Sequence, residues 1–525
     1  MFKKESVIDI ATLLNDKYIF YAHTNSEPNW KDETLQEHTS RCIEHFMKII
    51  TARELQVVFK NFEHTWFSNQ EKEYIELFYE LIINTIVFHD LGKINPLFQN
   101  LKMNNIMFSK EEGNIYLGSE HSIISAILYL EYYIPKSKDF TKEKRRFFRL
   151  LTYINAYVIS KHHGNLNKFE KFLDDFYEED GDNRYKAEII RDEYKKYFKP
   201  EYTFIEAQNS VRYVKTLLGY EISGKKKSIN LYAYEKLIYS LLIASDYYAT
   251  TEYNNKVVIE SHGTIEDIHK ISNVFNNTDI NQSIKKYRET KYFNKDKELK
   301  SAKDINVLRS ELYLDVEKEL LNNINSNIFY LEAPTGSGKS NVAFNLSFHL
   351  IEKSNNLNKI MYIYPFNTLV EQNLNTVKKI FGNDEDIISH ISVVNSVTPI
   401  LEDGNENYGF DDYEKALLDR QFFNYPITLS THVTLFDLMF GNNRESGFAF
   451  YQLANSVIVL DEIQSYKNTI WTEIISFLKA FSEVLNIKVI IMSATLPDLD
   501  VLSGEQNAAV KLIVKRDKFF LLPLF

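Results

Sequence analysis

The spacing of apolar residues divides the chain into two parts with different predicted secondary structure. Up to about residue 255, apolar residues recur at helical intervals, as in EYIELFYELIINTIVFHDLG and YEKLIYSLLIASDYYATTEY. Later in the chain, segments of helix length separate the short apolar runs NIFYLEA, KIMYIYP, PITLST, SVIVLDE and KVIIMSA. The pattern predicts a mostly α-helical first part, followed by an α/β part with a parallel sheet.

Between these patterns, residues 256–305 are polar and charged, which predicts a linker or connecting helices. A chain of 525 residues is also too long for a single hydrophobic core. We therefore predict a multidomain protein, with an α-helical domain over residues 1–255 and an α/β domain over residues 306–525.

Composition narrows the class of protein. The apolar fraction of 44% and the charged fraction of 25% are typical of a compact soluble protein, and the net charge of −11 argues against a chain coated in positive charge. Cys42 is the one cysteine, which excludes an internal disulfide and a cysteine-rich zinc site within one chain. No apolar run approaches the roughly 20 residues needed to span a bilayer. We expect a cytoplasmic protein with no membrane partner.

Histidine and aspartate residues carry the strongest chemical signal of the first part. The motif FHDLGK places His89 and Asp90 side by side after an apolar helical stretch, and such nitrogen and oxygen ligands suit a divalent metal. One such pair arises often by chance. The other candidate ligands, each in or beside a helical pattern, are His38, His121, His162, His163 and Asp246. Seven such residues predict that packed helices direct these groups into one pocket.

Together with YAHTN near the start and EHS and HHG downstream, these residues resemble the HD superfamily of metal-dependent phosphohydrolases. The closer resemblance is to the nuclease domain of the CRISPR-associated helicase-nucleases of type I interference systems. It implies a site for one or two metals, with Asp90 catalytic and Lys93 near the scissile phosphate. It also implies a transition metal, Mn, Co, Ni or Fe, which matches imidazole-rich ligation. Glu120 stands where the family usually has a basic residue.

The segment EAPTGSGKS, residues 332–340, lies between a predicted strand and a predicted helix, as a phosphate-binding loop requires. Glycines allow backbone N–H groups to close around phosphates, while Lys339 would neutralise the β- and γ-phosphates and Ser340 would hold Mg²⁺. The loop therefore predicts binding of ATP with Mg²⁺. Its predicted nucleotide contacts are Thr335, Gly336, Ser337, Gly338, Lys339 and Ser340.

Later motifs extend this interpretation. VIVLDEIQ would deliver Asp461 to the Mg²⁺ shell and Glu462 to the attacking water. In MSATLP, Ser493 and Thr495 match the motif that couples nucleotide state to strand movement in superfamily 2 helicases. YPFNTLVEQ and LSTHVTLFDLMF contain the residues predicted to contact DNA phosphates, which are Thr368 and Thr431. The second part thus resembles the first RecA-like domain of such helicases, with DEIQ in place of DEAD or DEAH.

The combined resemblance implies a metal-dependent endonuclease or exonuclease of single-stranded DNA, joined to an ATP-dependent helicase motor. Its expected role is CRISPR antiviral defence, on DNA opened by an RNA-guided surveillance complex. Because 28 residues follow SATLP, a second RecA-like domain is expected to be absent, and the chain is expected to bind ATP weakly and not to unwind DNA alone. Three explanations for this expected absence stay open: the domain is carried by a second polypeptide, the gene is cut by a frameshift, or the sequence is a fragment.

Two other functions stay open at the level of sequence. HD chemistry does not by itself specify DNA, so a nucleotide or cyclic nucleotide is an alternative substrate for a phosphohydrolase. The chain could also be a catalytically silent nucleic-acid-binding fragment. Nucleotide hydrolysis without DNA cleavage would support the phosphohydrolase, while the complete set of candidate ligands argues against the silent fragment.

Overall fold

The computed structural model divides the chain into two compact units. Unit 1 comprises Met1–Thr51, Phe62–Ile259 and Gly441–Tyr451, and unit 2 comprises Ala52–Asn61, Glu260–Phe440 and Gln452–Phe525. Among the described residues, no helix is both long enough and apolar enough to cross a membrane. The residues that the structure describes are 2–25, 31–67, 72–204, 210–218, 225–290, 292, 299, 302–395, 410–463, 471–494, 509–514 and 517–522.

Helices make up most of unit 1 and alternate with strands in unit 2. In chain order the α-helices are α1 Leu35–Ala52, α2 Gln56–Phe67, α3 Lys72–Phe88, α4 Pro96–Leu101, α5 Ser122–Tyr133, α6 Lys142–Lys161, α7 Phe169–Tyr177, α8 Asp182–Glu193, α9 Val211–Thr216, α10 Lys225–Asn255, α11 Ile268–Asn276, α12 Asp279–Thr290, α13 Ile305–Asn322, α14 Lys339–Lys353, α15 Asn367–Phe381, α16 Glu385–Ser389, α17 Phe410–Gln421, α18 His432–Phe440, α19 Arg444–Gly447, α20 Trp471–Val484 and α21 Asp517–Phe520. The strands are β1 Tyr21–His23, β2 Glu33–Thr34, β3 Ile328–Glu332, β4 Lys359–Tyr364, β5 Ile391–Val393, β6 Ile427–Thr431, β7 Ser456–Leu460, β8 Lys488–Ser493 and β9 Val510–Lys511.

The core of unit 1 is built around helix α6, which contacts α3, α5 and α10. Helix α3 is buried along its length from Leu77 to Phe88, as expected of a helix that is apolar on every face. A buried amide also joins these helices: the side chain of Asn155 donates to the Tyr129 hydroxyl over 3.0 Å and accepts from the Tyr234 hydroxyl over 2.9 Å. Because buried polar groups must be paired, this network fixes how three helices align.

Unit 2 contains a parallel sheet with the strand order β5-β6-β4-β7-β8-β3-β9. The five predicted strands form the adjacent positions β6-β4-β7-β8-β3, and their residues are almost all buried. Such continuous apolar runs are typical of strands covered on both faces. The predicted fold class, a helical part followed by a parallel α/β part, is confirmed. The short edge strands β5 and β9 were not predicted.

The segment predicted to be a linker or connecting helices contains α11 and α12. Their residues Ile271, Phe275 and Ile284 are buried in the core of unit 2, where α11 contacts α14 and α12 contacts α13. Although this segment is charged overall, its apolar residues recur at helical intervals. Each helix therefore has one apolar face, which packs on this core.

The carboxyl ends of the parallel strands place several candidate residues at one edge of the sheet. Strand β3 leads into the glycine loop, β7 ends immediately before Asp461, and β8 ends at Ser493. Backbone hydrogen bonds join these ends, from Ala333 N–H to the Ser493 carbonyl and from Asp461 N–H to the Ile363 carbonyl. Ligands of open α/β sheets bind at this edge.

Candidate metal centre and nucleotide loop

The candidate metal ligands of unit 1 come from helix interiors and helix ends. His38 lies within α1 and Asp246 within α10, while His89 and Asp90 follow the end of α3. The remaining three lie at the start of α5 and the end of α6. The seven candidate ligands are thus contributed by five helices or by the residues that flank them.

The turn that begins with His89 and Asp90, here called the HD turn, is held against the start of α5 by hydrogen bonds between side chains and backbone. The side-chain amide of Asn95 donates to the carbonyls of Gly118 and Glu120 over 2.9 and 3.0 Å, and the Gly92 N–H donates to the Ser125 hydroxyl over 2.7 Å. An added Cβ at Gly92 would lie 2.1 Å from the main-chain oxygen of His121. Only glycine therefore lets the HD turn approach α5 this closely.

The first donor cluster consists of His38, Cys42, His89 and Asp246, whose ligand atoms lie within 4.8 Å of one another. Nε2 of His38 is 3.3 Å from Oδ1 of Asp246 and 3.4 Å from Sγ of Cys42. Nε2 of His89 is 3.7 Å from the same Asp246 oxygen. All four residues are buried. The cluster therefore presents nitrogen, oxygen and sulfur donors in a largely buried space.

The second donor cluster consists of Asp90, His121, His162 and His163, again with ligand atoms within 4.8 Å of one another. Oδ1 of Asp90 is 3.3 Å from Nε2 of His121 and 3.5 Å from Nε2 of His162. The other carboxylate oxygen, Oδ2, is 3.3 Å from His38 Nε2 and 3.5 Å from His89 Nε2 in the first donor cluster. Asp90 thus lies between the two clusters, with one oxygen toward each.

The histidine tautomers suit metal binding. The Nδ1–H groups of His89 and His162 each donate over 2.7 Å to the carbonyl three residues earlier, which leaves the Nε2 lone pairs directed into the clusters. These two Nε2 atoms and Oδ1 of Asp90 are buried and have no hydrogen-bond partner among the described residues. Buried polar atoms without partners are costly, so they indicate that another group belongs there. The donor chemistry fits one or two divalent metal ions.

Electrostatics favours a positive charge in the same place. Burial opposes ionisation of the His89 imidazole, but the carboxylates of Asp90 and Asp246 outweigh it and raise the pKa of His89 to about 10. Burial likewise opposes the charged form of Asp90, yet Lys93 and His89 hold the pKa of this carboxyl well below its usual range. The ionised carboxylates of Asp90 and Asp246 strongly stabilise the protonated imidazole of His89. They would likewise stabilise a metal cation that took the place of that proton.

Lys93, Glu33 and His23 lie next to the two donor clusters. Lys93 is buried and its Nζ lies 2.7 Å from Oδ2 of Asp90. Glu33, paired with His23 across strands β1 and β2, lies with Oε2 3.3 Å from Nδ1 of His38, and it also forms an ion pair with Arg41. The sequence interpretation included Lys93 but missed Glu33, His23 and the position of Cys42. The spacing of His38 and Cys42, four residues apart on one helix, was the signal that could have identified the cysteine.

A cavity of about 600 Å³ opens beside the second donor cluster. His121 and His163 line it, together with the lysines Lys161, Lys168 and Lys171. Cavities of this size accommodate small organic ligands or a short stretch of a polymer. The carboxylates of Glu120, Asp175 and Asp182 also line it, and the first and last of these are paired with Lys186. The cavity therefore offers access to the second donor cluster from a surface that carries both lysines and acids.

In unit 2, the glycine loop has the backbone that phosphate binding requires. Gly336 and Gly338 have φ values of +79° and +86°, which residues with a Cβ rarely adopt, and α14 begins at Lys339. Arg309 donates through Nε to the Gly336 carbonyl over 2.9 Å. Nζ of Lys339 lies 2.8 Å from Oε1 of Glu462. The lysine and the acid of the two predicted motifs therefore meet at the carboxyl edge of the sheet.

Other predicted residues of unit 2 have different surroundings. Burial, and then the neighbouring Glu462, raise the pKa of Asp461 to about 6. Thr368 is exposed, whereas the Thr431 hydroxyl accepts from the Thr434 N–H over 3.3 Å at the start of α18. Thr335 and Ser340 lie in the loop and at the start of α14, and Ser337 is buried between them. Thr495 lies outside the described residues.

Comparison with known proteins gives a family match for part of the chain and a structural match for most of it. Residues 315–502 match the DEAD/DEAH box helicase family. No curated protein matches the chain significantly. Among solved structures, Cas3 of T. fusca with ATP is 12% identical with a TM-score of 0.56, over 94% of this chain and 51% of that chain. The ADP form is 13% identical with a TM-score of 0.54, over 92% of this chain and 51% of that chain.

This chain shares the fold of T. fusca Cas3. It spans about half of the length of these structures. The predicted resemblance to the CRISPR-associated helicase-nucleases is therefore confirmed in fold, across both the helical part and the sheet.

Proposed function

We propose that the chain is a metal-dependent single-stranded DNA nuclease joined to an ATP-dependent helicase motor. The observation that carries the nuclease proposal is the position of Asp90, with one oxygen toward each donor cluster. Two metal ions that share a carboxylate lie close enough to act on one phosphodiester. The proposed nuclease domain covers residues 1–255 and the proposed motor domain covers residues 306–525.

The side chains of the two clusters would hold the metals and orient the scissile phosphate. Divalent metals bound here would supply Lewis-acid activation of water and neutralise negative charge on the phosphate. The Lys93 ammonium, 2.7 Å from Asp90, is placed to balance negative charge that develops on the phosphate oxygens. The imidazole-rich donor sets favour Mn, Co, Ni or Fe over Mg²⁺.

The cavity beside His121 and His163 is the proposed approach for the DNA strand. Its lysines would contact backbone phosphates without reading base sequence, which is the contact that a nuclease of low sequence specificity needs. A single strand is favoured over a duplex because a cavity of about 600 Å³ is too small for a double helix.

The motor proposal rests on the nucleotide loop and the family match. Lys339, Asp461 and Glu462 converge at the carboxyl edge of the sheet, within the segment that matches DEAD/DEAH box helicases. We propose that Lys339 binds the ATP phosphates, Asp461 holds Mg²⁺ and Glu462 orients the attacking water. Thr368 and Thr431 are the proposed DNA contacts, and Ser493 and Thr495 the proposed coupling residues.

The fold shared with Cas3 supports a role in CRISPR antiviral defence. The proposed partners are single-stranded DNA and an RNA-guided surveillance complex that has opened it. In this setting ATP hydrolysis would move the strand toward the nuclease site.

The direct test is cleavage of circular single-stranded DNA by the metal-stripped chain, with Mn²⁺, Co²⁺, Ni²⁺ or Mg²⁺ restored separately. His89→Ala removes a nitrogen ligand and should abolish cutting, while His64→Ala, at an exposed position of α2, should leave it unchanged. Cleavage that is equal in the two variants would refute the assignment of the site. Hydrolysis of nucleotides or cyclic nucleotides without DNA cleavage would replace the nuclease with a phosphohydrolase.

A further inference from the structure

Cys42 occupies a place in the first donor cluster that the proposed function does not use. It lies one helical turn after His38 on α1, is fully buried, and its Sγ is 3.4 Å from Nε2 of His38. We propose that the Cys42 thiolate is itself a metal ligand, so that one metal has a mixed set of sulfur, nitrogen and oxygen donors. This inference rests on the proposed function, because it requires that a metal bind between the same histidines and aspartates.

The distances agree with a first coordination shell. Bond lengths of about 2.0–2.1 Å to nitrogen and about 2.3 Å to sulfur place two ligand atoms of a tetrahedral centre about 3.4–3.6 Å apart. His38 Nε2 is 3.4 Å from Cys42 Sγ and 3.3 Å from Asp246 Oδ1, and the separation from His89 Nε2 to Asp246 Oδ1 is 3.7 Å. The sulfur therefore lies at the separation that is expected of a ligand to the same ion.

A second observation, independent of the cysteine, also indicates a ligand in this space. Nε2 of His89 is buried without a hydrogen-bond partner among the described residues, while its Nδ1–H donates to the Ile86 carbonyl. Its lone pair is therefore directed into the first donor cluster, where Cys42 and Asp246 also converge. A cysteine that only filled core volume would not account for the buried imidazole nitrogen beside it that lacks a hydrogen bond.

A thiolate ligand would change which metals this cluster prefers. Soft sulfur donors favour Zn²⁺, Co²⁺ and Fe²⁺ and bind Mg²⁺ poorly, whereas the second donor cluster contains only imidazole and carboxylate. The two clusters would then differ in affinity, with the sulfur-containing cluster filling first when a thiophilic metal is limiting. The chemical class of ligand assigned to it is a thiophilic divalent transition metal.

The test uses Co²⁺, because a cobalt–thiolate bond produces a strong charge-transfer absorption in the near ultraviolet. The chain contains one cysteine, so such a band can be assigned to Cys42 without further mapping. The metal-stripped chain of 525 residues is titrated with Co²⁺, and bound metal is counted separately by elemental analysis. We expect the band in the wild type, its loss in Cys42→Ser, and Co²⁺ affinity weakened by about tenfold or more in Cys42→Ala.

The variants need a check on folding, since Cys42 is fully buried. Circular dichroism and the unfolding midpoint of each variant provide it, and the wild-type spectrum tests the inference without any variant. Bound cobalt with no sulfur band in the wild type would overturn the role of Cys42 while leaving the nuclease proposal intact. Failure of the wild type to bind any cobalt would overturn both, because the metal centre itself would be absent.

Discussion

At the scale of single residues, the metal centre depends on which nitrogen of each imidazole faces it. His89 and His162 use main-chain carbonyls to hold the Nδ1 proton. His38 has a carboxylate in that position instead: its Nδ1 lies 3.3 Å from Oε2 of Glu33, close enough for an ion pair although the angle is poor for a hydrogen bond. Glu33 is therefore placed to act as a positioning residue for His38.

We predict that Glu33→Gln weakens Co²⁺ binding about 10- to 100-fold, because a neutral amide beside His38 stabilises a metal-bound, positively polarised imidazole less than a carboxylate does. Competition with a coloured chelator measures the affinity. Glu44→Gln, at an exposed position of α1, the helix that carries His38, is the control and should not change the affinity. Equal affinity in both variants, with unchanged unfolding midpoints, would remove Glu33 from this role.

Asp461 provides a prediction about pH in unit 2. Burial and the adjacent Glu462 raise the pKa of the Asp461 carboxyl to about 6, so this group loses its charge as the pH falls through that value. Only the ionised carboxylate binds Mg²⁺. We therefore expect the affinity for Mg²⁺·ATP to be constant above pH 6 and to fall below it by about tenfold for each pH unit.

Calorimetric titration of nucleotide across this range measures the effect. The control that separates this carboxylate from other titrations, including that of the nucleotide phosphates, is binding of Mg²⁺·ATP to Asp461→Asn. This variant should lack the contribution of the Asp461 carboxyl to the step near pH 6. A step of the same size in Asp461→Asn would show that a different group is responsible.

At the scale of secondary-structure elements, the close approach of the HD turn to α5 decides whether the two clusters meet. Gly92 packs so tightly that an added Cβ would lie 2.1 Å from the His121 oxygen and 2.7 Å from the Ser125 nitrogen. Both of these atoms belong to backbone, which cannot move as easily as a side chain. The separation between Asp90 and His121 therefore depends on a glycine that is not itself a ligand.

We predict that Gly92→Ala destabilises the protein by about 1–3 kcal/mol, as overpacking does, and reduces the metal bound at the second donor cluster. Denaturant unfolding and metal counting measure the two effects. Gly164→Ala is the matched control, since nothing lies within 4 Å of the Cβ that it would add. A fully stable Gly92→Ala variant with normal metal content would show that the turn can move without cost to the site.

At the scale of the whole molecule, net charge and local charge differ. The chain carries a net charge of −11, which on its own disfavours DNA. Lysines nevertheless line the cavity beside the second donor cluster, among them the exposed Lys168 and Lys171. Phosphate contacts act over short distances in salt, so a few local lysines can outweigh a distant excess of acids.

We predict that the double substitution Lys168→Glu and Lys171→Glu raises KM for single-stranded DNA while leaving kcat nearly unchanged, because neither lysine is placed in a donor cluster. The salt dependence of log KM should become shallower by about 0.7 for each lost phosphate contact. Lys102→Glu with Lys110→Glu changes the net charge equally at exposed positions outside the cavity. If both double variants raise KM equally, net charge rather than the cavity governs binding.

The success of prediction from the sequence differs between parts of the molecule. The five long strands were predicted because each is a continuous apolar run, whereas β5 and β9, of three and two residues, are too short to show a period. Glu33 was missed because its role comes from pairing with His23 across β1 and β2, a contact between strands that neither residue indicates alone.

The helical and α/β parts, the glycine loop and the types of metal ligand could all be predicted from the order of residues alone. These features follow from local periodicity and from residues that are neighbours along the chain. The spacing of His38 and Cys42 on α1 is local, but their meeting with His89 and Asp246, and the direction of one Asp90 oxygen to each cluster, are seen only in the folded chain. Helices far apart in sequence bring these groups together by packing, and no local pattern encodes that packing.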